Sequence, residues 1–286
     1  MKARVIKEAG GKFFLLCDDG RTLTCHARGR IKRDDMIFVG DFVEVSEEKN
    51  GFVIDGILPR KNKLIRPYVA NVDVVVILIA CEPEPDFLLV DKLLVDAAAN
   101  GIESVIAVNK CDLDGGELYA KTLKQYGAHF RVTALSAVGG EGIDELRGFA
   151  DGKLIAFAGQ SAVGKSSLIN ALGNLGLQTG GLSKVGRGRH TTRRAEIFDA
   201  GTFTVADTCG FSMLETEKDF DPITLKDYYP EFENLASRCR FRGCTHTDEP
   251  DCEVKRELGK SVDEARYERY TELYKSLKDK WRKRYD

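Results

Sequence analysis

Four short patterns carry residue types at spacings that do chemistry. Gly159-Gln160-Ser161-Ala162-Val163-Gly164-Lys165-Ser166 fits G-x-x-x-x-G-K-[ST], and Ser167 continues it. In such a loop the glycines let backbone N–H groups wrap phosphates and a helix N-terminus adds its positive end. Lys165 is placed to reach the β- and γ-phosphates, and Ser166 to ligate Mg²⁺. Asn109-Lys110-Cys111-Asp112 fits N-K-x-D. Asp112 can accept from guanine N1–H and N2–H₂. Adenine offers no such donor pair, and an unpaired buried carboxylate rejects it. Lys110 is expected to pack over the base plane and Asn109 to tie this loop to the phosphate loop. Ser136-Ala137 matches a third guanine loop, in which a backbone N–H meets guanine O6. Asp207-Thr208-Cys209-Gly210 fits D-x-x-G. There Asp207 holds Mg²⁺ through water and the Gly210 N–H senses the γ-phosphate.

Two further stretches bear on hydrolysis and on metal. Gly186-Arg187-Gly188-Arg189-His190-Thr191-Thr192 occupies the position of a switch loop. Its threonine closes over Mg²⁺ in the triphosphate state. Thr191 and Thr192 both qualify, and Thr192 is the preferred reading. The residue after D-x-x-G is Phe211, where a water-orienting glutamine stands in Ras-type enzymes. Phenylalanine can neither donate nor accept, so the isolated chain should turn over slowly. His190 is the strongest candidate for the group that orders or deprotonates water; a partner acting in trans is the other route. Cys239-x4-Cys244-x-His246-x5-Cys252 offers three thiolates and an imidazole. Four protein ligands leave no open position on Zn²⁺, so the site should be structural. Cys17, Cys25, Cys81, Cys111 and Cys209 read as small apolar fillers or motif wildcards.

These residues need elements to position them. ARVIK, KFFLLC, RTLTCHA, DFVEV and GFVIDGIL are short strands separated by turn signals, which predicts a five-stranded barrel over residues 1–62. An oligonucleotide-binding (OB) barrel leads, and an SH3-like barrel would share the pattern. VDVVVILIA is an apolar run typical of a strand buried on both faces. Helices are expected over 86–100, 117–126 and 141–150, with strands IESVIAV, HFRVTA and LIAFAG between and after them. That alternation predicts an α/β domain with a parallel sheet over 63–214. Residues 215–286 are broken by Pro222, Pro230 and Pro250. They end in one long helix-prone segment from Cys252 to Tyr285, with Leu258, Val262, Ala265, Leu273, Leu277 and Trp281 as its apolar stripe.

The motif order is itself informative. Ordinary small GTPases run phosphate loop, switch threonine, D-x-x-G, N-K-x-D, S-A. Here N-K-C-D and S-A come first, so the domain is circularly permuted. The segment after D-x-x-G then leads out toward the cysteine cluster. With GRGRHTT and CRFRGCTHTDEPDCEVK, the chain resembles the bacterial circularly permuted GTPases that act in 30S ribosomal subunit maturation, the ribosome small-subunit-dependent GTPase A family. The resemblance covers essentially the whole chain. It implies GTP hydrolysis to GDP and phosphate, stimulation by the 30S subunit, and contact with 16S rRNA during late assembly.

Composition sets bounds on this reading. The chain has 286 residues, a net charge of −2 and 43% hydrophobic residues, which excludes a wholly disordered chain and a globally basic coat. No apolar run spans a membrane and the start lacks an apolar leader, so a cytoplasmic protein without a membrane partner is expected. No dimer signal is present, so a monomer is expected. Basic clusters at Arg28, Arg30, Lys32 and Arg33, at Arg60, Lys61, Lys63 and Arg66, at Lys184 to Arg194, and at Lys275 to Arg284 are the RNA-facing candidates. The alternative function is a GTP-gated RNA-binding module in which hydrolysis is incidental.

Overall fold

Alternation builds the N-terminal strands. In KFFLLC, Phe13, Leu15 and Cys17 fall on one face and are buried, as a two-residue period requires. The strands are β1 (Lys2–Ala9), β2 (Lys12–Cys17), β3 (Thr22–Ala27), β4 (Phe42–Glu48) and β5 (Gly51–Ile57). The computed structural model describes residues 1–29, 31, 36–49, 51–65, 68–173, 195–207 and 221–283. β1–β2, β2–β3, β4–β5 and β1–β4 pair antiparallel, and β3 pairs parallel with β5. The barrel therefore closes in the order 1-2-3-5-4-1. This parallel closure decides for the OB arrangement over the SH3-like one. Val5, Leu15, Cys25, Val43 and Ile54 fill its centre.

The junction after the barrel is held by an ion pair. Arg60 Nε and Nη2 donate to Asp41 at 2.7 and 2.8 Å, and the guanidinium lies over Phe38. Asp41 is fully buried. Arg28 pairs with Glu48 and Asp55, and Lys61 with Asp73. Several basic residues of the two N-terminal clusters thus serve the fold itself. Two short strands, β6 (Lys63–Ile65) and β7 (Tyr68–Ala70), form a separate ribbon that the sequence pattern did not announce.

The α/β layer follows the expected alternation. Its strands are β8 (Val74–Ala80), β9 (Glu103–Asn109), β10 (Arg131–Ala134), β11 (Leu154–Gly159), β12 (Glu196–Asp199) and β13 (Thr204–Asp207). All seven residues of β8 are buried. The sheet runs β10-β9-β8-β11-β13-β12, parallel except for β12. Counting from β11, then β12, β13, β8, β9 and β10, this order reads 2-3-1-4-5-6, so a sheet that begins at the phosphate-loop strand has been cut between β13 and β8. Helices α1 (Phe87–Ala99) and α2 (Glu117–Tyr126) cover one face, and α3 (Ile143–Ala150) and α4 (Lys165–Gly173) the other. Asp86 caps α1 by accepting from the Leu89 N–H. The barrel joins this sheet edge to edge, with Lys7 of β1 opposite Glu196 of β12 and their side chains paired at 2.8 Å.

The C-terminal region is helical and irregular. It comprises 3₁₀ turns at Pro222–Tyr228 and Pro230–Phe232, single-turn helices at Glu233–Ala236 and Glu253–Arg256, and α5 (Glu264–Arg282). The expected single helix from Cys252 is interrupted. Gly259 adopts φ +73°, and Asp263 starts α5 by accepting from the Arg266 N–H. Leu258 and Val262 sit in that break, bridged to each other, rather than on the stripe of α5. Leu225, Tyr229, Phe232, Tyr270 and Leu273 form the core of this region, and Val95 of α1 joins it. Among the described residues, no helix is long and apolar enough to cross a membrane.

Candidate active site and metal centre

The phosphate loop connects β11 to α4, as the motif requires. Gly159 has φ +133°, and a Cβ there would stand 2.1 Å from the Leu78 carbonyl oxygen. Gly164 has φ +94°, and a Cβ would stand 2.4 Å from Asn109 Nδ2. Both positions admit glycine alone among unstrained choices. Ala162 adopts φ +66° without that freedom. Lys165 folds back over the loop, with Nζ donating to the Gly159 carbonyl at 2.7 Å and also to that of Gln160. Burial lowers its pKa to about 8. Ser161 and Ala162 are exposed, Val163 is buried, and Ser166 and Ser167 are half-buried in the first turn of α4.

Asn109 is the hub of the site. It ends β9 and is 2% exposed. Its Nδ2 donates to the Val163 carbonyl at 2.9 Å, and its Oδ1 accepts from the Ala137 N–H at 3.0 Å. One side chain therefore ties together the phosphate loop and both base-side loops. The Ala137 N–H, one of the backbone donors of the loop expected to meet guanine O6, is engaged within the protein. Lys110 takes a left-handed conformation, φ +61°, and turns the chain into a single helical turn at Cys111–Asp114. Its Nζ donates to the carbonyls of Glu82 at 2.7 Å and Ala162 at 3.1 Å. Cys111 is half-buried against the Val108 carbonyl, and Asp112 is exposed at the tip. Ser136 is buried and shapes its own loop, accepting from the Gly139 N–H through Oγ at 2.9 Å and from the Gly140 N–H through its carbonyl at 2.8 Å.

Gln160 contacts a loop that the sequence did not assign. Its Oε1 accepts from the Asp86 N–H and its Nε2 donates to the Glu84 carbonyl, both at 3.0 Å. No motif flags residues 82–86, since they act through backbone groups. Asp207 ends β13 next to β11, where a D-x-x-G aspartate should lie. His190, Thr191, Thr192, Cys209, Gly210 and Phe211 lie outside the described residues.

The cysteine cluster converges as expected. One donor atom from each of Cys239, Cys244, His246 and Cys252 lies within 4.8 Å of the other three. His246 Nδ1 is 3.6 Å from Cys239 Sγ and 3.4 Å from Cys252 Sγ. Metal–sulfur bonds of about 2.3 Å in a tetrahedron put ligand atoms roughly 3.8 Å apart, so the donor set fits a cation after slight contraction. Burial pushes the Cys244 thiol up to about 12 and the Cys252 thiol upward. It pulls His246 down to about 4, which leaves its imidazole neutral and able to ligate. Such a cluster of desolvated thiols is poorly placed to ionise without a bound cation. The loop is pinned by Glu249, which accepts from the Thr245 N–H, the Thr245 hydroxyl and the Thr247 N–H. Tyr267 OH donates to the His246 carbonyl at 2.8 Å. All described cysteines are free thiols. Around this loop Arg238, Arg240, Phe241 and Arg242 are exposed, a fifth basic group legible in the alternation R-C-R-F-R.

Comparison with known proteins gives a consistent picture. The sequence model of the RsgA GTPase family matches residues 57–217. A protein of Caldanaerobacter subterraneus subsp. tengcongensis named small ribosomal subunit biogenesis GTPase RsgA is 40% identical, over 100% of this chain and 98% of its own. Its namesake in Halalkalibacterium halodurans is 38% identical, over 99% of each. The crystal structure of YjeQ from Thermotoga maritima superposes with a TM-score of 0.85 at 34% identity, covering 96% of this chain and 98% of that one. YloQ, described as a circularly permuted GTPase, gives 0.81 at 28% identity, covering 98% and 95%. With the phosphate loop, the N-K-x-D hub and the permuted sheet in place, the chain belongs to the RsgA GTPase family and is a GTP hydrolase.

Proposed function

We propose that the chain binds the small (30S) ribosomal subunit and hydrolyses GTP during late maturation of that subunit. The observation that carries the nucleotide part is Asn109, whose one side chain joins the phosphate loop to both base-side loops. The ribosomal part is supported by full-length relatives whose names state that role. In this reading Asp112 selects guanine, and Gly159 to Ser167 hold the phosphates with Lys165 turned toward them. Ser166, Thr192 and Asp207 hold Mg²⁺, which neutralises charge on the β- and γ-phosphates. His190 orders the attacking water, in place of the side chain that Phe211 lacks, and Gly210 senses the γ-phosphate. Cys239, Cys244, His246 and Cys252 hold one structural Zn²⁺, the ion that prefers three thiolates and an imidazole.

The three functional units in this reading are the barrel over 1–62, the GTPase domain over 63–214 and the metal module over 215–286. The protein acts as a cytoplasmic monomer that meets 16S rRNA through the barrel and exposed basic residues such as Lys280 and Arg282 of α5.

The decisive experiment is GTP turnover with and without purified 30S subunits, for wild type and His190→Ala. Stimulation of wild type and its loss in the variant, with GTP and 30S binding retained, is the expected result. Equal turnover with and without 30S would overturn the ribosomal reading. Full activity of the variant would remove His190 from the chemistry.

A further inference from the structure

We propose that Gln160 is a positioning residue that reports occupancy of the phosphate loop to the C-terminal helical module through α1. The proposal rests on the reading of residues 159–167 as the nucleotide site. The backbone carbonyl of Gln160 is held by Lys165 Nζ, while its side-chain amide grips the Glu84 carbonyl and the Asp86 N–H. Asp86 is also the N-cap of α1. One residue thus touches the cation of the phosphate loop on one side and the start of α1 on the other.

α1 is in turn locked to α5 by buried charge. Asp91, fully buried, accepts from Tyr126 OH at 2.9 Å and from Arg269 Nε. Arg266, 3% exposed, lies 3.5 Å from Asp91 and also donates to Glu231. Arg269 reaches Tyr126 OH at 2.9 Å and Gln125 at 3.2 Å. Leu88 and Val95 of α1 pack into the core of the C-terminal module. A charge network buried this deeply does not shear gradually, because leaving either partner unpaired is costly. A shift at the start of α1 is therefore carried to α5 as a rigid displacement rather than absorbed.

The two states follow from Lys165. The Lys165 ammonium donates to the carbonyls of Gly159 and Gln160. Phosphates draw on the same ammonium, whose three donors are then shared between them and those carbonyls. The hold on the Gln160 carbonyl changes with that sharing, and the Gln160 side chain passes the change to Glu84 and Asp86. This route is separate from the covalent connection that follows Asp207, and the two are distinguishable.

The test is amide hydrogen exchange on the full chain, free and saturated with GDP, with GDP binding measured on the same samples. Wild type should change exchange across both 84–89 and Glu264–Arg282 by about fivefold or more, the lower end of ordinary coupling. Gln160→Ala at saturating GDP should lose the response in Glu264–Arg282. Arg269→Met, which leaves the phosphate loop untouched, should keep the response at 84–89 and lose it in Glu264–Arg282. Gln160→Ala that cannot be saturated with GDP places Gln160 in nucleotide binding and overturns its positioning role. A response in Glu264–Arg282 that survives in these variants overturns the proposal and assigns the signal to the covalent connection. Wild type that binds GDP without any response there also overturns it. Wild type that fails to bind GDP overturns the site reading itself.

Discussion

The metal cluster takes all its donors from residues 239–252, while the nucleotide site gathers groups from Glu82 to Asp207. In the first, the residues meet because the chain between them is short and a loop clamp, Glu249, sets its turns. In the second, Asn109 meets Val163 across 54 positions only because β9, β8 and β11 lie side by side. The local site depends on ligand chemistry, and the dispersed one on backbone shape. Each should therefore fail in its own way.

The largest effect is expected at the metal cluster. Cys252 is 2% exposed, and Cys252→Ser removes one of four donors. On the proposed zinc reading, bound metal should fall well below one per chain, and the C-terminal module should lose at least about 3 kcal/mol, since metal binding would there be folding energy. Metal analysis with thermal unfolding would show this as an early transition separate from that of the sheet. Gly159→Ala tests the opposite kind of site. The added Cβ cannot coexist with the Leu78 carbonyl 2.1 Å away, so strain of about 3 kcal/mol should weaken GDP binding about 100-fold while metal content stays at one. A nucleotide titration reads the first and metal analysis the second.

A smaller, graded effect follows from Lys165. Its pKa in the free protein is pulled down to about 8 by burial, and phosphates favour its charged form. Below pH 8 it is already protonated and affinity should be flat. Above pH 8 binding must take up a proton, so GDP affinity should fall by up to about tenfold per unit. A flat profile through pH 9.5 would separate Lys165 from the phosphates. The smallest effect belongs to Ala162. Ala162→Gly relieves a left-handed alanine and should stabilise the protein by about 1 kcal/mol, seen as a slightly raised Tm.

What the sequence revealed tracks the same division. The phosphate loop, N-K-C-D, the convergence of Cys239, Cys244, His246 and Cys252, and α2 at Glu117–Tyr126 are legible, because each is encoded by residues close together. Asp91 with Arg269 is not, since the pair is 178 positions apart and an Asp or Arg on a helix ordinarily faces water. The choice between barrel types hung on β3–β5, a pairing between strands that are not neighbours in sequence. The break before α5 is hidden in the sequence because apolar residues keep helical spacing across it. Gly259 and Asp263 were the signals, and capping outweighed periodicity there.

The permuted connectivity also sets the order in which strands leave the ribosome during synthesis. Of the strands of the α/β sheet, β8, β9 and β10 are made first and can pair with one another, yet β8 then has a bare edge on its other side. That edge belongs to a strand with all seven residues buried, an invitation to pair with another chain. It stays open until β11 emerges and Ile155 to Gly159 align with Val74 to Leu78. The last-made β12 and β13 follow, and β12 meets β1, already folded in the barrel. The nascent chain therefore has its greatest need of protection between residues 80 and 154, and its earliest domain is the one that finally covers the sheet's newest edge.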